Sequence, residues 1–442
     1  MRRVDRRRFL QLSGAGAAAA TTGGLAGILA SGRAPAYAQG QTLHWVRWSD
    51  FVPASDQVLK GKITEECKKQ LGFTLRLETI NANDIQARVT AAIQAQTGPD
   101  VVMGLANWPQ LYAGSLADVT DVTDEIGKAG GGYYDLCKTV ATHDGKWIGV
   151  PWAVGGGLVA YRKSWLHEAG FDKFPETWDE YRTAGQKLKK AGHPYGQTAG
   201  HTFGDAPGWW YPYLWSWGCK EVEADGKTVA LNTPDTVESV KFAVALWKET
   251  MDEGGLSWDD TSNNRAFLSG TIAATNNGAS IYLEAKKKPD SYKTDKGEQM
   301  YKDIAHAKIP AGKGGHFNEP GPFTDMVMGY SKNQKMAKDF LKWVHKKDVF
   351  EIWFQSQQGY TAGATKDYEN DKVWSADPVL APFKEIPSTG RMVGYAGPPS
   401  QKAAEVRTKY IIVDMYAKAI QGMKAEDSVA WAADECKKVY GA

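Results

Sequence analysis

Two loops pair an indole with a short polar side chain: Trp48-Ser49-Asp50 and Asn107-Trp108. Each follows a strand-like segment, and in an open parallel sheet ligands bind beyond the carboxyl ends of the strands. A polyhydroxylated ring has apolar C–H faces and a hydroxyl rim, so an indole face beside carboxylate and amide groups suits it. Trp48 is equally suited to a core, whereas Trp108, beside Pro109 in a loop, has less reason to be buried. Asp325, after Gly321-Pro322-Phe323-Thr324, offers a carboxylate able to bridge hydroxyls, or a loop acid paired with a surface lysine. Tyr395, within Gly394-Tyr395-Ala396-Gly397-Pro398-Pro399, is either a further aromatic contact or a packing residue, and Arg391 near it would matter for an anionic ligand. Asp50 and Asp325 facing each other across a cleft at ~5–10 Å would instead equip a glycosidase. No nucleophile elbow or Gly-rich phosphate loop accompanies them, and Gly155-Gly156-Gly157 lacks the GxGxxG spacing.

These side chains need a scaffold, and the hydropathy pattern supplies one. Thr42–Trp48 reads as a strand, Val58, Leu59, Ile63, Cys67 and Leu71 form a helical stripe closed by Gly72, and Phe73–Glu78 alternates as a second strand. Asn83 is a candidate cap for a helix carrying Ile85, Val89 and Ile93, which stops at Gly98-Pro99 before the apolar run Val101-Val102-Met103. This order implies a parallel sheet with right-handed crossovers. Further on, Thr177-Trp178-Asp179-Glu180 has the form of a capping box, and Thr233-Pro234 opens a long helix. Strand alternation returns at Thr271–Thr275, and helices dominate 335–358 and 400 onward. The Gly- and Pro-rich stretch 310–322 is the candidate for a second crossing between lobes. The basic runs 286–288 and 346–347 read as solvated helix ends.

The chain has 442 residues, 42% hydrophobic and 24% charged, with 53 basic against 51 acidic side chains. That length allows two or three domains, and a mean hydropathy of −0.45 excludes a polytopic membrane protein. A net charge of +2 provides no nucleic-acid surface. Residues 1–38 carry six arginines and one aspartate, an apolar Ala/Gly stretch, and the ending Ala36-Tyr37-Ala38. These are the parts of a cleavable export signal, and Arg6-Arg7-Arg8-Phe9-Leu10 resembles its twin-arginine type. Cleavage near Ala38 leaves 404 residues with 47 basic and 50 acidic side chains, a net −3. Cys67, Cys137, Cys219 and Cys436 lack metal-ligand spacing, so no metal or cofactor is expected; an oxidising destination would permit one or two disulfides of unassigned pairing.

Two sets of stretches carry a more specific likeness. One is Asp144–Trp152 running into Tyr161–Phe171 and Phe174–Tyr181. The other is Gly98–Val102, Leu116–Asp121, Thr275–Gly278 and Ala337–Trp343. Together they resemble the extracellular solute-binding proteins of ABC importers, in the sugar-binding group that includes maltose-binding protein, over essentially the whole mature chain. The resemblance implies an α/β periplasmic binding protein fold: two α/β lobes, a hinge and an interlobe ligand cleft. It implies a monomer without catalytic residues that captures a carbohydrate or polyol and hands it to permease subunits. Lobe I is expected at 39–156 and 318–365, lobe II at 157–317 and 366–442. In the aromatic run Pro207–Trp217, Trp210 and Tyr211 fall where such proteins place aromatic ligand contacts; Tyr213, Leu214 and Trp217 suit packing. Asn276 and Asn277 fall where the family often touches solute, although Asn-Gly also suits a plain turn. The loop has Ala279-Ser280 after Gly278, with no aromatic to stack on a ligand. The same scaffold could take a polyamine, a phosphorylated solute or an amino-acid-like one. A buried acidic cluster would mark a cation site, and paired Arg or Lys an anion site.

Overall fold

The computed structural model describes residues 40–441, so the export-signal reading falls outside the described residues. Among the described residues no helix is long and apolar enough to cross a membrane. The strands, in chain order, are β1 (Thr42–Trp48), β2 (Thr74–Ile80), β3 (Val101–Leu105), β4 (Thr142–His143), β5 (Lys146–Trp147), β6 (Val150–Gly155), β7 (Leu158–Arg162), β8 (Ala274–Asn277), β9 (Ile304–Ala307), β10 (Gly321–Val327) and β11 (Ala362–Gly363). A six-stranded sheet has the order β11-β6-β10-β3-β1-β2, and a three-stranded sheet the order β8-β7-β9. β1 runs parallel to both β2 and β3, in register Trp45 with Leu77 and Val101. β10 is antiparallel to β3 on one side and β6 on the other. The small sheet is antiparallel throughout.

Local sequence explains the elements. Gly72 ends the first long helical segment at φ 83°, a left-handed conformation glycine adopts without a Cβ penalty. Thr177 and Glu180 form the full capping box at the start of helix Trp178–Lys190. Thr233 caps helix Pro234–Thr250, with proline in the first turn. Helix Ala82–Ala95 starts two residues earlier than its sequence suggests: Asn81, not Asn83, is the cap, accepting from the Asn83 backbone N–H. The last strand before residue 280 begins at Ala274, later than the alternation from Thr271 implies, because the Thr271 and Ile272 N–H groups still bond to Ala266 O in a turn and the Ala273 N–H bonds to the distant Pro194 O. Lys346 and Lys347 are exposed at the junction where helix Gln334–Val344 ends and helix Lys347–Ser356 begins, and the Lys346 N–H still bonds to Trp343 O in the first helix's last turn.

Each sheet anchors a core. The first gathers β1, β3, β6 and β10 with helices Gln334–Val344 and Lys347–Ser356 around Trp45, Trp152, Phe340 and Trp353. The second centres on helix Asp205–Ser216, packed on helices Pro234–Thr250, Ile411–Ile420 and Ala425–Tyr440. The chain passes from one sheet to the other between β6 and β7, and again between β9 and β10. All four cysteines are buried and unpaired, so the disulfides that the sequence would permit are absent.

Candidate functional site

The carboxyl ends of β1 and β3 open onto a cleft between the two sheets. Trp48 closes β1 and Leu105 closes β3; both line it. Around Trp48 stand Phe51 at 5.4 Å, Phe203 at 5.6 Å and Phe323 at 5.0 Å between ring centroids, with Tyr360 near-parallel at 6.5 Å. These five rings come from four separate segments, Trp48 and Phe51 sharing the end of β1. Gly155, Gly156 and Gly157 form the bare crossing between β6 and β7. A Cβ on Gly157 would stand within 3 Å of the Asn276 amide, so only glycine lets that side chain reach the cleft wall.

The polar wall comes from the second lobe and the β9–β10 crossing. Arg407, on helix Gln401–Thr408, places Nε 2.6 Å from Glu319 Oε1 and donates from Nη2 to the Phe203 carbonyl at 2.8 Å. Both partners are 6% exposed. Burial works against the Arg407 charge, but Glu319 more than offsets it and raises the pKa. Asp205 begins the aromatic helix, and its backbone N–H donates to Asp260 Oδ1 at 2.8 Å. Asn263 donates to Asp205 Oδ2 at 2.7 Å. Burial pushes both carboxyls above the usual carboxylate range, and for Asp205 the neighbouring Asp260 charge adds to the rise. Asn276 donates to the Gly208 carbonyl at 3.1 Å, and Asn277 Oδ1 accepts from Ser280 at 3.1 Å. Gly278 lies against Tyr360, which brings an aromatic ring to a loop that carries none of its own.

Of the sequence candidates, Trp48 and Asn277 line this cleft, as does Asn276. The others are placed elsewhere. Ala106 turns the chain at φ 50°, sending Asn107 and Trp108 inward to 0% and 2% exposure. Asp50 sits behind the wall, accepting from Val52 N–H, Ser55 and Gln357 at 2.7–2.8 Å; burial pushes it up to about 6 against those hydrogen bonds. Asp325 points into the first core, where it accepts from Trp45 Nε1 at 2.8 Å. Its counter-charge is not a surface lysine but Arg47, at 3.8 Å, whose guanidinium lies 4.5 and 4.4 Å from the rings of Trp45 and Trp152. Asp50 and Asp325 therefore do not form a pair facing the cleft. Trp210 stacks on Tyr416 at 4.6 Å inside the second core, and Tyr211 packs on Trp215. Tyr395 and Phe317 hold the Arg391 guanidinium between their rings, away from the cleft lining. The rings and charges that sequence reasoning passed over are Phe51, Phe203, Asp205, Asp260, Glu319, Phe323, Tyr360 and Arg407. The one local cue was the Phe203-Gly204-Asp205 entry to the aromatic helix.

Across the cleft mouth, Gln86 on helix Ala82–Ala95 donates to Thr408 Oγ1 at 3.1 Å, and Asn83 Oδ1 accepts from the Phe203 N–H at 3.2 Å. The arrangement is a cleft closed by two lobes, with aromatic faces on one side and hydrogen-bonding groups on the other. That combination of surfaces suits a polar solute with apolar faces.

Comparisons with known proteins agree with that geometry. A probable ABC transporter-binding protein of Deinococcus radiodurans is 26% identical over 317 residues, 66% of this chain and 70% of that protein. The diacetylchitobiose binding protein of Streptomyces coelicolor is 27% identical over 297 residues, 61% of each chain. Among solved structures, maltose-bound MalE3 of T. maritima superimposes with a TM-score of 0.75 at 21% identity, covering 90% of this chain and all of that one. The GacH receptor of Streptomyces glaucescens, solved unliganded and with acarbose, gives 0.75 at 20% identity over 92% of this chain and 99% of its own. Residues 62–382 match the bacterial extracellular solute-binding protein family, so the chain belongs to that family of binding proteins and has the periplasmic binding protein fold.

Proposed function

We propose that this protein is the periplasmic receptor of an ABC importer, capturing a carbohydrate or polyol in the cleft and delivering it to the membrane permease. The observation that carries this reading is the five-ring aromatic wall around Trp48 facing amide and carboxylate groups across one cleft. Ring faces suit the C–H surface of a sugar, and the opposite wall suits its hydroxyls. Relatives named for diacetylchitobiose, maltose, ribitol and acarbose support the solute class. Trp48 and Asn277 are its contacts among the residues singled out from sequence. Ligand contacts to both walls favour the closed form, which is the differential affinity that shifts the population.

In the same reading the protein is exported by a twin-arginine signal cut near Ala38 and acts as a monomer. Lobe I comprises 39–156 and 318–365, and lobe II 157–317 and 366–442. Thermal-shift titration with neutral mono- and disaccharides and polyols tests the solute class. At least one is expected to raise the melting temperature saturably, by about 2.7 kcal/mol of added stability at a hundredfold excess over Kd. Saturable binding confined to phosphorylated or amino-acid-like solutes overturns the carbohydrate assignment.

A further inference from the structure

The polar wall of the cleft is unbalanced. Three carboxylates face it, from Asp205, Asp260 and Glu319, against the single guanidinium of Arg407, which Glu319 already engages. Among the described residues no lysine, arginine or histidine lies within ion-pair distance of Asp205 or Asp260. Asp260 Oδ1 accepts from the Asp205 N–H at the start of the aromatic helix, the Thr202 side chain and the Gly204 backbone also support the Asp260 carboxyl, and Asp205 Oδ2 accepts from Asn263. The rest of the wall is short of donors. Asp260 Oδ2 and Asn276 Oδ1 are both buried without a hydrogen-bond partner, on cleft-lining residues only 6% and 2% exposed. Gly204 and Gly208, one helical turn apart, line the cleft beside these groups: a Cβ on Gly204 would touch Asp260 Oδ1 at 3.5 Å, and one on Gly208 would touch the Asn276 amide at 3.7 Å.

Covering such a wall with a neutral solute leaves two carboxyls with no cation paired to them and a buried acceptor without a donor, and any charge the pair carries is costly to strip of water. A cationic group on the solute removes that cost and supplies the missing donors. We infer that the solute carries a protonated amine that docks between Asp205 and Asp260, within reach of Asn276 and the aromatic wall. An ammonium offers three N–H donors and is attracted to ring faces. A metal ion is a poorer match, because among the described residues no three metal-ligating side chains converge. The inference rests on the reading of the cleft as the solute site. It narrows that reading to amine-bearing hydroxylated solutes.

Three β-1,4-linked dimers of similar skeleton separate the alternatives by calorimetry: the glucosamine dimer, its N-acetylated form and cellobiose, with putrescine as an amine lacking the ring. The glucosamine dimer is expected to bind at least tenfold more tightly than either neutral dimer. Asp260→Asn and Asp205→Asn should each collapse that preference by tenfold or more, melting temperatures reporting that both variants fold. A neutral dimer binding as tightly as the amine, or binding with uptake of a proton and an affinity that rises as pH falls, overturns the inference and leaves the carbohydrate reading standing. The groups that face the acid pair in such a titration are Glu319, Arg407 and Tyr360 in the cleft, with Asp259 and Tyr410 behind it. Putrescine binding without response to any dimer supports the cationic occupant and counts against a carbohydrate. No response to either amine overturns the inference.

Discussion

The aromatic helix Asp205–Ser216 and the cleft wall are both rich in rings, but they use them in opposite ways. In the helix, Trp209, Trp210, Tyr211, Tyr213 and Trp215 follow one another closely in sequence, and each is 2% exposed or less. Two of them also anchor a polar atom inside the core: Trp210 Nε1 donates to Thr198 O at 3.2 Å and the Tyr213 hydroxyl to Ser239 O at 2.9 Å. In the cleft, Phe51, Phe203 and Tyr360 lie far apart in the chain and meet only because β1, the 203–205 loop and the segment before β11 converge. Dense aromatic sequence marks a core here, and dispersed aromatic sequence marks the cleft wall. A helix turns about 100° per residue, so five adjacent rings point in every direction and must be enclosed on all sides.

The contrast breaks first at Trp210. Trp210→Ala should cost about 3–5 kcal/mol of folding stability, seen as a lower denaturation midpoint in urea, while any surviving folded fraction keeps its solute affinity. A selective loss of affinity at unchanged stability would move Trp210 from the core set to the binding set. The next effect belongs to the same helix's surroundings. Glu221 is fully buried beneath Tyr211 and Tyr440, and burial pushes its carboxyl up to about 7. The folded state therefore holds the proton more firmly than the unfolded chain. Stability from this group is full below about 4.5 and falls as pH rises toward 7, by up to about 3 kcal/mol at 1.36 kcal/mol per pKa unit. Glu221→Gln should flatten that fall in thermal melts between pH 5 and 8.

On the cleft side the effects shift from stability to affinity. Phe203 is only half-buried and meets Trp48 edge-on. Phe203→Ala should weaken binding of the identified solute by about tenfold, 1.4 kcal/mol, in calorimetry, with a smaller change in the denaturation midpoint. The smallest effect is expected at the mouth. Gln86→Ala removes the bridge to Thr408 and should weaken binding by about 0.5–1.5 kcal/mol, through a larger open population.

How far the sequence carried the reading depends on how local each determinant is. The β1–β2–β3 parallel unit, the Thr177 capping box and the Thr233-Pro234 start were legible because residues within a few positions decide them. The strand-end rule pointed to openings that the cleft occupies, and Trp48 lines it. It did not carry through at Asn107 and Trp108, because one left-handed residue at Ala106 reverses the side-chain directions that follow. Asp325 looked like a loop acid because nothing near it in sequence announces Arg47, 278 positions away. Tyr360, Glu319 and Arg407 belong to the site only through contacts between distant segments, which no spacing rule encodes.

The position of β10 reaches beyond binding. It lies between β3 and β6 in the six-stranded sheet, yet it is made only at residues 321–327, well after the whole small sheet. A ribosome releasing the chain from its N-terminus presents β1, β2 and β3 with one flank unpaired, and β6 without its central neighbour, until about three-quarters of the protein has emerged. Closing that gap requires contacts across more than 160 residues, a topology that slows folding. During synthesis this open flank is the surface that chaperones have most reason to cover, because it exposes unpaired backbone and the apolar side chains of the first core.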